Sequence, residues 1–340
     1  MSKKIFWFSR ILAVALLVDT LAGDACGPQR RPAIMASATP HILWQVQHQW
    51  PTLEFMRNAT DLKMAASGAL EFMVKQLLGM ISSDLVWLVG LGWLLIARRS
   101  RPWRLFGFAY VAIALLLMAS GRSRAGYLTP AYLPLLAGGA TALESFSGRR
   151  GWRWTRFALP LLMLALSARI APLALPLLPV ERYLAYARSM GVAPSTEERK
   201  QMGPLPQHFA DMHGWHELEA LVDSTYRGLT TEERTHCAVV ARNYGEAGAV
   251  TVLGRRDGLP RAVSGHNNFW LWGPGNADGR VMIVIGGGEG EQHEQFESVE
   301  MIGRWNAPYA MPYEQNRVIW LCRGLKRPLS EWWAERKSYD

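Results

Sequence analysis

Three stretches of this sequence carry side chains whose types and spacing could do chemistry. Residues 124–134 read RAGYLTPAYLP, with Arg124 closely followed by Tyr127 and Tyr132. A guanidinium offers a planar fork to a phosphate, so Arg124 with these rings suits a lipid phosphate; Arg122 and Arg124 reaching toward lipid head groups is the plainer alternative. Residues 243–246 (NYGE) follow one apolar run and open a helical pattern whose free N–H groups could hold an anion. Residues 264–268 (SGHNN) follow another, with Trp270 and Trp272 close behind. Amides beside aromatic faces make Tyr244, Glu246, His266, Asn267, Asn268 and Trp270 candidates for binding a sugar or other hydroxylated acceptor. Turns and core rings use the same residue types, and that reading stays open.

Other combinations carry less. His208, Asp211, His213 and His216 match no zinc spacing and no CxxC supports them, so no metal site is read. The glycine run at 286–290 lacks the sixth-position glycine of a dinucleotide-binding loop. No cofactor is identified.

The elements that must position these residues fall into two halves, and a mean hydropathy of zero averages over them. Residues 80–97, 105–120, 127–143 and 157–179 are four apolar stretches, each near the roughly 20 residues that cross a bilayer as a helix. Arg169 falls midway along the fourth, among prolines, and a charge there calls for a proline break, a wet cavity or a protein neighbour. The formal charge of +9 draws heavily on two connections, Arg98, Arg99, Arg101 and Arg104 in one and Arg149, Arg150, Arg153 and Arg156 in the other. These are topology signals and not a nucleic-acid surface: they hold both loops on the cytoplasmic side and place everything after residue 179 outside. Residues 1–23 are a signal-anchor or a signal-like segment, with a basic start and an apolar run at 5–21. Residues 24–79 form an outer loop, irregular to residue 40, then amphipathic and interfacial.

Residues 180–340 have the composition of a globular domain. Strands are expected at 237–242, 261–264, 281–285 and 317–322, and helices at 246–253 and 292–302. The fold class is therefore a multi-pass α-helical membrane domain (80–179) followed by an extracytoplasmic α/β domain (180–340) with a mostly parallel sheet. Cys237 and Cys322 could pair only if their strands are neighbours; buried thiols are the other reading.

Several segments together resemble one family. WQVQHQWPTLEF at 44–55, RAGYLTPAYLP at 124–134, and LPQHFADMHGW, ARNYGEAGA, SGHNNFWLWGP and MPYEQNRVIWLCRG further on are similar, in the same order, to bacterial family 39 glycosyltransferases. That family comprises membrane proteins related to the protein O-mannosyltransferases. Gln49, Gly126 and Leu133 depart from its pattern. The resemblance implies inverting transfer of a sugar from a polyprenyl-phosphate donor to an extracytoplasmic acceptor at the cytoplasmic (inner) membrane, and supports Arg124 as a lipid-phosphate ligand. It also implies a catalytic acidic residue, commonly in an Asp-Glu pair and sometimes read as holding a divalent metal, in an early loop. Neither Asp19 nor Asp24 has that setting, so the chain is expected to be a shortened form lacking the catalytic loop. The alternatives are a non-catalytic, membrane-anchored binder of carbohydrate or lipid phosphate, and one subunit of a split transferase.

Overall fold

A computed structural model describes residues 31–148 and 151–340. The segment expected as an anchor, together with Asp19, Asp24, Cys26, Arg149 and Arg150, lies outside the described residues. The chain divides into two compact units, residues 1–50 with 64–178, and residues 51–63 with 179–340. The outer loop expected at 24–79 is thus shared, its short middle piece belonging to the C-terminal unit.

Helix α1 (Arg31–Gln47) occupies part of the stretch expected to be irregular, where the run AIMASA outweighs Pro40. Helix α2 (Pro51–Asn58) follows and belongs to the C-terminal unit. In the helical unit come α3 (Ala69–Gly79), α4 (Asp84–Ile96), α5 (Arg104–Ser120), α6 (Tyr132–Ser147) and α7 (Thr155–Ala174).

Among the described residues two helical stretches, Arg98–Ser120 and Thr155–Ala174, are long and apolar enough to cross a membrane. A third arises if α3 and α4, bent by 115° at their junction, count as one span. The sequence leads to four. The first expected span begins late because residues 80–83 form a turn, with the Ser83 hydroxyl donating to the Met80 carbonyl at 3.1 Å. What remains, the 13 residues of α4, reaches only about 20 Å as a helix. The third is split by a 3₁₀ turn, Ala125–Ala131, which leaves α6 with 16 residues. The fourth runs unbroken through Pro160 and past Arg169, which is exposed on α7, so no proline break sets that arginine apart.

The core of the helical unit is Phe72, Trp87, Leu94, Tyr110, Leu128, Tyr132 and Leu135. Helices α4 and α6 touch backbone to backbone at glycines. A Cβ on Gly90 would lie 1.8 Å from the Leu135 carbonyl oxygen, and one on Gly139 1.9 Å from that of Val86. Glycines at this crossing let the two backbones approach closely.

The C-terminal unit contains α8 (Val180–Ser189), α9 (Gln207–Ala210), α10 (Trp215–Gly228), α11 (Thr231–His236), strand β1 (Cys237–Ala241) and α12 (Tyr244–Leu253). It continues with β2 (Val263–Ser264), α13 (Asn268–Leu271), β3 (Val281–Ile285), α14 (Glu289–Gln295), β4 (Phe296–Trp305), β5 (Arg317–Leu325) and α15 (Leu329–Glu335). The sheet order is β2-β1-β3-β5-β4. Alternate residues of β1 and β3 feed opposite faces. Val239, Ile283 and Ile285 pack with Leu218, Val222 and Val250 on one side, and Val240, Met282 and Val284 with Trp320, Trp332 and Trp333 on the other.

The sheet is mixed, a correction to the mostly parallel expectation. β1 runs parallel to β2 and β3, whereas β5 is antiparallel to both β3 and β4. The helix expected at 292–302 ends at Gln295 and becomes edge strand β4, whose residues are mostly solvent-facing and so lack a strong apolar alternation. Cys237 and Cys322 are both buried free thiols. Their strands are separated by β3, and the two side chains enter opposite core faces, so they do not pair.

Candidate functional site

The carboxyl ends of the parallel strands meet the beginning of β5, because an antiparallel neighbour starts where its partner stops: Ile285, the last residue of β3, is paired with Ile319. The loop leading into β5 therefore delivers Tyr313, Glu314 and Arg317 to the edge where β1 delivers Arg242 and Asn243 and β2 delivers His266. Between them lies a cleft of about 610 Å³ within the C-terminal unit, lined also by Lys63, Glu198, Lys200, Asp211, His213, Tyr244 and Asp340. Binding in such a crevice, at the carboxyl ends of parallel strands, is the general habit of open α/β sheets.

Its floor is a charged network. The backbone N–H of Arg242 donates to Glu246 Oε2 at 2.8 Å, and its guanidinium Nη2 reaches Glu246 Oε1 at 3.3 Å and Glu314 Oε2 at 3.0 Å. The Asn243 side-chain amide donates to Glu314 Oε1 at 2.8 Å. Burial, reinforced by the Glu246 carboxyl beside it, pushes Glu314 up from 4.5 to about 7. Arg317 is lowered, by burial first and then by Arg242, and donates to the Tyr313 carbonyl.

Asn243 and Glu246 form a capping box at the start of α12. The Asn243 side chain accepts from the Glu246 N–H at 2.9 Å while the Glu246 carboxylate receives the Asn243 N–H at 3.4 Å. The Tyr244 N–H lies 3.4 Å from His266 Nδ1. The N-terminus that could have held an anion is thus occupied by the protein itself, and Glu246, with 0% exposure, lies beneath the cleft, out of a ligand's reach.

Of the other sequence-derived candidates, Tyr244 and His266 line the cleft, their rings stacked at 4.8 Å and 24°. Burial lowers His266 and favours its neutral ring. Gly265 is fixed by crowding, since a Cβ there would fall 1.9 Å from the Arg336 carbonyl oxygen. Asn267 turns away: its side-chain amide donates to the Asp340 carbonyl at 3.3 Å and lies 3.1 Å from His266 Nε2. Asn268 accepts from the Tyr339 hydroxyl at 3.3 Å. Trp270 donates to the Trp333 carbonyl at 3.1 Å and packs on the core beside Trp332. Asn267, Asn268 and Trp270 therefore hold the C-terminal segment in place and do not face the cleft.

Sequence reasoning missed Lys63, Glu198 and the trio Tyr313, Glu314 and Arg317, which come from three separate segments. Lys63 reaches the site because residues 51–63 dock onto the C-terminal unit. The Arg199 N–H donates to the Lys63 carbonyl at 2.8 Å, and Lys63 Nζ stands 3.9 Å from Glu198. The one available signal was the segment MPYEQNRVIW, which carries Tyr313, Glu314 and Arg317 together.

In the helical unit Arg124 caps the 3₁₀ turn Ala125–Ala131, and Tyr127, half exposed, is joined to it by a backbone hydrogen bond of 3.2 Å. Tyr132 is committed elsewhere. Its hydroxyl donates to Gln76 Oε1 at 2.8 Å and receives that of Tyr110 at 3.5 Å, with 4% exposure. The structure brings Arg124 and Tyr127 into one turn and takes Tyr132 into the core.

Among the described residues no three His, Cys, Asp or Glu side chains are grouped to hold a metal ion. No protein family, curated protein or solved structure matches the chain.

Proposed function

We propose that this chain is a membrane protein of the family 39 glycosyltransferase type, handling a sugar carried on polyprenyl phosphate and an acceptor outside the cytoplasmic membrane. One observation carries the reading: a chain with helices apolar enough to span a bilayer also presents Arg124 and Tyr127 in a single turn at the head of α6. The arginine is the phosphate ligand in this reading and the half-exposed ring lies against the first isoprene units. Tyr132 is withdrawn from that set, since its hydroxyl is spent on Gln76. No residue of this chain is assigned the role of catalytic base.

A second reading is favoured by the cleft, which is complete within the C-terminal unit: a membrane-anchored carbohydrate binder that performs no transfer. One experiment separates the two. The full chain in nanodiscs is given a radiolabelled polyprenyl-phosphate sugar pool and membrane acceptors, beside Arg124→Ala. Transfer that the substitution abolishes supports the transferase. Donor binding without transfer, weakened at least tenfold by Arg124→Ala, supports the binder, and donor binding indifferent to Arg124 refutes the lipid-phosphate role in both.

A further inference from the structure

We propose that the cleft at the carboxyl edge of the C-terminal sheet binds an uncharged saccharide, with the Tyr244 ring as its stacking face and Lys63 and Glu198 as partners for its hydroxyls. The inference deepens the sugar chemistry of the proposed function and does not depend on transfer.

The volume, about 610 Å³, is in the range of small-ligand sites and accommodates one or two pyranose rings. The lining decides what kind of ligand enters. Its cations, Lys63, Lys200, Arg242 and Arg317, stand among the carboxyls of Glu198, Asp211, Glu314 and Asp340, and His266 is held toward its neutral form. A strongly charged ligand of either sign meets groups of its own sign in this lining. A ligand rich in hydroxyls finds both donors and acceptors, which is what such a balanced rim supplies.

The aromatic face is the second element. Tyr244 is 48% exposed, yet its ring is not loose: it stacks on His266, and its own N–H is tied to the same imidazole. A tyrosine fixed in this way offers contact area with little entropy left to lose, and the C–H face of a sugar ring is its natural complement. Behind it Gly245 leaves room for Trp215, whose Cη2 a Cβ would approach to 3.3 Å. Across the cleft Lys200 Nζ stands 5.3 Å from the Tyr313 centroid, and Tyr244 is the more exposed of the two rings.

The test uses the full chain in nanodiscs, free of sugar-based detergent, with saturation-transfer NMR at millimolar ligand. The probes are methyl α-mannoside, methyl β-glucoside and methyl β-galactoside, with glucuronate and glucosamine as charged comparators. At least one neutral glycoside is expected to bind saturably and more tightly than either charged sugar. Tyr244→Ala is expected to weaken it tenfold or more, Tyr244→Phe to leave it within about twofold, and Lys63→Met, on a different segment, to weaken it as well. Hydrogen exchange of residues 281–285 confirms that each variant keeps its sheet. Absence of binding by all three neutral glycosides overturns the proposal, as does binding indifferent to Tyr244→Ala or preference for a charged sugar. Transfer and this binding fail separately: a chain that binds glycosides but moves no sugar loses the transferase reading alone, and one that transfers but binds none loses this site alone.

Discussion

Replacing Glu314 by glutamine should make the C-terminal unit more stable at alkaline pH and leave it nearly unchanged at pH 5. The Glu314 side chain is 8% exposed, between Arg242 at 3.0 Å and the buried Glu246, and its carboxyl is pushed from 4.5 to about 7, by burial first and by Glu246 second. A folded-state value above the unfolded one means that the native protein binds this proton more tightly. The effect is absent below about pH 4.5, grows as the unfolded chain ionises first, and reaches its full cost above about pH 7. At 1.36 kcal/mol for each pH unit, that gap corresponds to about 3 kcal/mol. Glutamine keeps an acceptor for the Asn243 amide and gains an N–H for Glu246, while removing the titration. The assay is hydrogen exchange of the full chain in nanodiscs from pH 5 to 8, read as protection factors in peptides covering 237–253, so that intrinsic exchange rates cancel. Wild-type protection is expected to fall by up to about 100-fold across that range relative to Glu314→Gln. His266, buried and lowered, contributes the opposite slope, but equally in both proteins. A flat difference between them would falsify the claim that Glu314 holds the proton.

Three further outcomes follow from other sites. Gly139→Ala, whose Cβ would meet the Val86 carbonyl oxygen at 1.9 Å, should force α4 and α6 apart at about 1–3 kcal/mol, seen as a lower melting temperature in detergent, whereas Gly92→Ala, with nothing nearby, should not. Tyr132→Phe removes the donor to Gln76 Oε1 and should cost about 1–3 kcal/mol in the same thermal assay, because that oxygen is buried and loses its partner. Cys237 and Cys322, whose thiols burial pushes up to about 12, should resist maleimide until the protein is denatured, and non-reducing electrophoresis should show the mobility of the reduced chain.

Much of the C-terminal sheet was legible because its central strands are buried on both faces. VMIVI at β3 and CAVVA at β1 are continuous apolar runs that only a covered strand keeps. β4 was not legible for the converse reason. At the edge, with Glu297 and Glu300 in solvent, it carries no pattern that excludes a helix continuing from α14. That one misreading hid the antiparallel half of the sheet, and with it the reason Tyr313, Glu314 and Arg317 lie beside Arg242. In the helical unit the apolar character of each stretch was legible. The lengths were not, because Ser83 and the 3₁₀ turn before Tyr132 end helices for local hydrogen-bonding reasons that hydropathy does not register.

The start of α12 shows how a correct motif can be given the wrong chemistry. Asn243-Tyr244-Gly245-Glu246 reads as opening a helix, and a helix N-terminus has free N–H groups that could hold an anion. Yet an Asn followed three residues later by Glu is also the signature of a capping box, in which the two side chains satisfy the amides that an anion would otherwise bind. Both readings start from the same unpaired N–H groups; the glutamate decides between them. With its carboxylate spent on the Arg242 and Asn243 N–H groups, Glu246 seals the helix and adds to the burial that raises Glu314. The residue that excludes an anion at this helix therefore also adds to the pH sensitivity of the cleft floor. Glu246→Gln should test both roles together: it retains one capping contact, and by removing a neighbouring carboxyl it should move the pH dependence of protection in peptides 237–253 to lower pH. A dependence that stays where it was would mean that burial alone holds the Glu314 proton.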